Sequence, residues 1–124
     1  MDDLQLLQGT WKQVRFEENG AIEPPDIHGG TGAITTIERD CFEVRSSDGE
    51  LLLAGRFILD PTAHPKSITW IDSMGDDAGK LLPATYKLSD HELLFIASDE
   101  GMPPSTVFVT SPGLTLRGFV RHRT

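Results

Sequence analysis

The histidines and the single cysteine are the residues whose spacing could most directly indicate chemistry. The four histidines lie in separate predicted loops or turns: His28, His64, His91 and His122. No spacing places two of them on one face, so we expect no metal site. Cys41 follows Arg39-Asp40, a position compatible with a lowered thiol pKa, but no base is positioned beside it. We expect Cys41 to be a half-buried strand residue without a chemical role.

Motifs for phosphate binding and covalent catalysis are also missing. The glycine-rich segment 28–32 precedes a strand, so it lacks the helix N-terminus that binds phosphate. No Gly-x-Ser-x-Gly motif is present, and the acidic segment 72–79 lacks the spacing and closing Glu of a calcium loop. We therefore predict a non-catalytic protein without a cofactor.

The length and the charge of the chain limit the classes of partner that it can bind. The chain has 124 residues, a length suited to one domain over residues 1–124, and a net charge of −8. This acidity argues against binding to nucleic acid or to an anionic membrane, whereas a cationic partner is compatible. The first residues are acidic, and no segment approaches the roughly 20 apolar residues of a membrane span. The single cysteine cannot form an internal disulfide, which fits a reducing compartment. Together these features favour a soluble cytoplasmic protein, and the sequence does not indicate its oligomeric state.

The elements that must position any site are predicted to be strands. Runs rich in β-branched and aromatic residues alternate with turn residues about every ten positions, as in an all-β antiparallel, up-and-down barrel of eight or nine strands. A short helical turn over Asp2–Gln8 precedes them, and a long Pro/Gly loop follows Asn19-Gly20. The predicted strands are Gly9–Glu18, about Ala33–Glu38, Cys41–Arg45, Glu50–Leu59, Ser67–Ile71, Leu81–Leu88, His91–Ala97, about Ser105–Thr110 and a last one ending near Arg121.

The sequence Leu7-Gln8-Gly9-Thr10-Trp11 places a Gly-x-Trp motif on the first strand and resembles lipocalins. This resemblance implies that Trp11 plugs the closed end of a barrel. It also implies that an arginine of the last strand packs over Trp11, with Arg121 the best match and Arg117 the next.

A closer resemblance is to a family of small bacterial lipocalin-like domains of unassigned function. The matching segments are 7–11, 53–62 (LAGRFILDPT), 65–68, 86–88 with Leu93, and the proline-rich loop before Phe108. This resemblance implies a lipocalin-like fold and no reaction.

Strand alternation points a set of bulky side chains inward: Trp11, Phe42, Val44, Phe57, Ile68, Trp70, Tyr86, Phe95 and Phe108. Among them Trp70, Tyr86 and Phe57 are the candidate ligand contacts, although core filling is the commoner role of such residues. A small barrel packs its interior with side chains, so we expect a shallow pocket or none. The first functional hypothesis is a binding module for a small hydrophobic molecule or a peptide.

The second hypothesis rests on charge. In a meander, alternate connections lie at the same end, and one set of connections combines eleven carboxylates with a single lysine, Lys80. The other set has Asp40, Asp60 and Asp90 against Arg39 and Lys66, and includes Ser111–Gly113. An acidic rim at the long-looped end would suit an immunity or inhibitor protein that binds a basic partner. The predicted rim residues are Glu17, Glu18, Asp26, Asp76, Asp77, Asp99 and Glu100.

Overall fold

The computed structural model describes residues 2–23, 33–99 and 102–122. These residues form one short helix and nine antiparallel strands, in agreement with the predicted fold class. The elements are α1 (Asp3–Leu7), β1 (Gly9–Glu18), β2 (Ala21–Glu23), β3 (Ile34–Glu38), β4 (Cys41–Arg45), β5 (Leu51–Asp60), β6 (Ser67–Asp72), β7 (Leu81–Leu88), β8 (Glu92–Ser98) and β9 (Leu114–Arg121).

Eight of the strands close into a lipocalin-like barrel. Each of β3 to β9 pairs with the next in sequence, and β1 completes the ring by pairing with both β3 and β9. A register shift between Gln13 and Arg15 bends β1 between these two partners. The ninth strand, β2, forms a hairpin with the end of β1 across Asn19-Gly20, where both residues have positive φ. It falls within the predicted Pro/Gly loop, of which residues 24–32 lie outside the described part of the chain.

The connections separate into two ends as predicted for a meander. Those that follow β1, β4, β6 and β8 begin at one end, which we call the mouth. Those that follow β3, β5 and β7 lie with α1 at the other, which we call the closed end. The predicted position of Ser111–Gly113 is wrong, because Gly113 accepts a hydrogen bond from the Asp99 amide at the mouth.

Helix α1 and β9 seal the closed end. The helix begins with a capping box between Asp2 and Gln5, and Leu7 is fully buried beside Trp11. The indole N–H of Trp11 donates to the carbonyl of Leu7 at 2.9 Å, and the Arg121 guanidinium lies 4.0 Å from the Trp11 ring centroid. The expected pairing of Arg121 with Trp11 is therefore confirmed.

The predicted strand over Ser105–Thr110 is wrong. Its alternation is strand-like, but β8 already pairs with β7 and β9, so neither edge of β8 is open to it. The segment instead lies against the outer face, where the Thr85 hydroxyl donates to the Ser105 carbonyl at 2.7 Å. Phe108, predicted to point inward, packs outside against the cluster of Ile96, Leu114 and Leu116. Among the described residues, no helix is long and apolar enough to cross a membrane.

Candidate ligand-binding cavity

The mouth half of the barrel surrounds a half-open cavity of about 490 Å³. This volume lies within the range of about 300–1,000 Å³ found for small-molecule sites. Of the two alternatives, a shallow pocket or none, the second is therefore wrong. Most of the wall surface is apolar, and the residues that contribute it are Ala33, Phe42, Val44, Leu53, Trp70, Leu82, Phe95, Ala97 and Phe119.

Aromatic rings form the floor of the cavity. The Trp70 ring centroid lies 5.3 Å from that of Phe42 in an edge-to-face arrangement and 5.1 Å from that of Phe95. Phe95 stacks in turn on Phe119 at 5.9 Å. Gly55 makes room for this packing, since a Cβ there would overlap the Ile71 carbonyl oxygen and lie 2.9 Å from the Phe42 ring.

Trp70 also carries an unsatisfied polar group. Its side chain is 9% exposed, and its indole N–H has no hydrogen-bond acceptor among the described residues. Buried polar groups are nearly always paired, so an orphan donor in a cavity wall is unusual and calls for a bound molecule or water. Trp70 is therefore the predicted ligand contact that the structure places in the site.

The other two predicted contacts lie outside the cavity lining. Phe57 is buried behind Trp70, with the ring centroids 5.6 Å apart. Tyr86 is buried toward the closed end, where its hydroxyl donates to the Asp3 carboxylate at 2.7 Å. Burial and the nearby Asp3 raise the pKa of Tyr86. Phe57 therefore belongs to the core, and Tyr86 helps to attach α1 to the barrel.

Polar groups at the mouth complete the cavity, and the most buried of them is Arg117, which the sequence had suggested only as the second candidate to pack over Trp11. The Arg117 guanidinium is held by two contacts. It donates a hydrogen bond to Gln13 Oε1 at 2.9 Å, and it lies 4.5 Å from the Phe16 ring centroid. Burial lowers the pKa of Arg117, and this is opposed by the charges of Glu18 and Asp72. The inward alternation of Arg117 with Phe119 on β9 was the signal available in the sequence.

Asp72 is the half-buried carboxylate of the mouth. It lies two residues after Trp70 on β6, and both side chains line the cavity. Burial and the negative charge of Asp77 raise the pKa of Asp72, while Arg117 opposes the shift. A carboxylate in this environment is stabilised by any additional positive charge that approaches it.

Four of the seven predicted rim residues lie at the mouth in the described part of the chain. Asp76, Asp77 and Asp99 are exposed, and Glu18 lines the cavity. Lys80 pairs with Asp77 at 3.4 Å.

The other three predicted rim residues do not present a carboxylate there. Glu17 faces the outside of the barrel, where it is buried and paired with Arg15 at 2.6 Å, so it is not a rim residue. Asp26 and Glu100 lie outside the described residues.

The remaining reactive side chains of the described residues do not form a second site. Cys41 is exposed, not half-buried, and its pKa is raised by desolvation and by Asp40 and Glu38 rather than lowered by Arg39. In the described ranges, no group of three or more His, Cys, Asp and Glu side chains is arranged to hold a metal ion.

Comparisons with known proteins identify no relative from which a function could be inferred. No protein-family model matches the chain. Searches of curated proteins and of solved structures find no significant match to it.

Proposed function

We propose that the protein is a non-catalytic binding module that takes a small, mostly apolar molecule into the mouth cavity. The observation that carries the proposal is the cavity of about 490 Å³ with its floor of Trp70, Phe42, Phe95 and Phe119. Small-molecule sites are typically apolar and aromatic, with a few polar groups that fix orientation. Asp72, Arg117 and the unpaired Trp70 N–H are groups of that kind.

The test is binding of the neutral fluorescent probe N-phenyl-1-naphthylamine. Its emission rises in an apolar site, so the wild-type protein should give a saturable increase. Ala97→Phe adds a ring to the cavity wall and should abolish this increase. Val44→Phe repeats the test from β4, on the opposite side of the barrel.

Ile58→Phe is the matched control. Ile58 is 54% exposed, so this substitution adds the same ring on the outside of the barrel, away from the cavity. It should bind the probe like the wild type. Equal probe binding by all four proteins would show that the cavity is not the site, and the proposal would fail.

A second candidate is a protein-interaction module of immunity or inhibitor type that binds a basic partner. Exposed carboxylates and exposed apolar side chains lie together at the mouth, as in interfaces with apolar and charged parts. The apolar ones are Ile22, Leu81 and Met102, which are 82%, 62% and 40% exposed.

Pull-downs at low and high salt with an Asp76→Asn/Asp77→Asn/Asp99→Asn variant would test this candidate. Electrostatic association should weaken with salt and with loss of these three charges. Asp60→Asn/Asp90→Asn removes charge at the closed end and should leave a captured partner in place. Capture that is insensitive to both salt and the mouth substitutions would exclude the acidic rim as its basis.

A further inference from the structure

The side chains of β6 change from apolar to charged toward the mouth. Ile68 is fully buried in the core, Trp70 lies in the cavity floor and Asp72 is half-buried above it. These residues alternate with outward ones, so they share a face, and two residues along a strand span about 6.6 Å. A carboxylate thus lies roughly 7 Å from an aromatic floor on the same wall.

The Asp72 carboxylate is half-buried and lines the cavity. On the neighbouring strand β5, the residue paired with Asp72 is Gly55, and the Ile71 carbonyl and the Phe42 ring occupy the place that a side chain there would take. On the other side, Leu82 pairs with Trp70 and lines the cavity below the level of Asp72. The Asp72 carboxylate is therefore accessible from the cavity without being fully solvated.

The charges around the cavity favour a positively charged ligand over a negatively charged one. Carboxylates outnumber cationic groups in the lining: Glu18, Asp72, Asp77 and Asp99 against Lys80 and Arg117. Both cationic groups already have partners, since Lys80 pairs with Asp77 and Arg117 is held by Gln13 and flanked by Glu18 and Asp72. An anion would meet this excess of negative charge, whereas a cation would offset it.

We propose that the cavity selects a monocationic ligand with an aromatic body, in which an ammonium group contacts Asp72 and the ring packs on Trp70 and Phe95. This inference rests on the proposed binding function and names its ligand class. The distance of about 6.6 Å between the two contact levels corresponds to an aryl ring and an ammonium separated by a three-carbon linker. An ammonium close to the floor would also be attracted by the faces of the rings.

The experiment compares three probes of nearly the same shape by calorimetric titration: 3-phenylpropan-1-aminium, 3-phenylpropan-1-ol and 3-phenylpropanoate. The wild-type protein should bind the cation about tenfold more tightly than the alcohol, and the carboxylate most weakly, because the contact is a half-buried charge pair. Asp72→Asn should remove this tenfold preference and change the affinity for the alcohol less than twofold.

Asp76→Asn is the matched control, because it removes the same charge from an exposed mouth residue that does not line the cavity. It should retain most of the preference for the cation. If Asp72→Asn fails to fold, the wild-type protein still tests the proposal through pH. Acidification that protonates Asp72 should weaken binding of the cation and leave binding of the alcohol unaffected.

The charged groups that face Asp72 are Glu18 of β1, Asp77 and Lys80 of the β6–β7 connection, and Arg117 of β9. The two carboxylates add to the attraction of the mouth for a cation, and the two cationic groups oppose it.

Four outcomes would overturn the inference while leaving the proposed function standing. In all four, N-phenyl-1-naphthylamine still binds in the cavity. The first is that the alcohol and the cation bind with equal affinity, and the second is that Asp72→Asn and Asp76→Asn change the affinity for the cation equally. The third is that the carboxylate binds most tightly, which would assign recognition to Arg117. The fourth is that none of the phenylpropyl probes binds. If neither N-phenyl-1-naphthylamine nor any of the three phenylpropyl probes binds, the proposed function itself is overturned.

Discussion

Replacing Arg121 with methionine should destabilise the barrel by opening its closed end. The guanidinium donates to the carbonyls of Leu6 and Gln8 at 2.6 Å and 2.5 Å, and it covers the Trp11 ring at 4.0 Å. Both carbonyls belong to the end of α1, where backbone acceptors lack partners within the helix.

The magnitude follows from these contacts. A hydrogen bond to a charged group contributes about 1.5–3 kcal/mol, and a cation–π contact about 0.5–2 kcal/mol. Arg121 is partly exposed, so water replaces part of what is lost, and the methionine keeps part of the packing on Trp11. We expect a loss of about 2–4 kcal/mol in the free energy of unfolding, which for 124 residues lowers Tm by about 8–16 °C.

Urea and thermal unfolding, followed by tryptophan fluorescence and near-UV circular dichroism, measure this change. Arg56→Met is the control, because Arg56 is an exposed arginine on β5 and its replacement changes the charge equally. Arg121→Lys should recover part of the loss, since one ammonium does not reproduce the planar fork of a guanidinium. Equal stabilities of Arg121→Met and Arg56→Met would refute the role of Arg121 as the lock of the closed end.

Two further predictions concern the site. Gly55→Ala should cost about 2–3 kcal/mol because its Cβ would overlap the Ile71 carbonyl and press on the Phe42 ring, whereas Gly79→Ala, which meets nothing within 4 Å, should cost about 1 kcal/mol from its positive φ alone. Urea unfolding of the two variants compares them, and equal losses would contradict the close approach of β5 and β6. Asp72→Asn should stabilise the unliganded protein at pH 7 by less than about 1 kcal/mol, because the raised pKa means that folding disfavours the ionised form of a half-exposed, water-screened group. This gain should disappear below the unfolded-state pKa of an aspartate, where both side chains are neutral, and a gain that persists at that pH would show a different cause.

Strand positions were predictable because alternation and turn residues are local signals. The bounds of β1, β4 and β7 were predicted to the residue, and the Arg39-Asp40 turn between β3 and β4 lies where its sequence indicates. The segment Ser105–Thr110 carries the same alternation, yet it is not a strand. A strand needs a partner edge, and closure of the barrel through β1 and β9 removes every edge next to β8. Whether an edge remains depends on the whole sheet and not on the segment.

The site was less predictable than the fold, because alternation gives the face of a residue but not its height in the barrel. Phe57, Trp70 and Tyr86 all point inward, but Tyr86 lies beside α1 and Trp70 lies in the cavity floor. The position along the axis follows from strand tilt and register, which pair Phe57 with Trp70 and Tyr86 with Phe95. These pairings are set by the closed sheet, so they are not readable from one strand.

The cavity itself follows from how inward side-chain size varies along the barrel axis. Toward the closed end the inward residues are large and fully packed: Trp11, Phe57, Ile68 and Tyr86. Toward the mouth several are small: Thr35, Val44, Ala97 and Thr115. Close packing of the first group provides the hydrophobic stabilisation, while the second group leaves volume that side chains do not fill. A polar group placed in that volume, such as Asp72 or the Trp70 N–H, costs stability unless it meets a partner. A cavity that combines empty volume with such groups is better explained by selection for binding than by selection for stability.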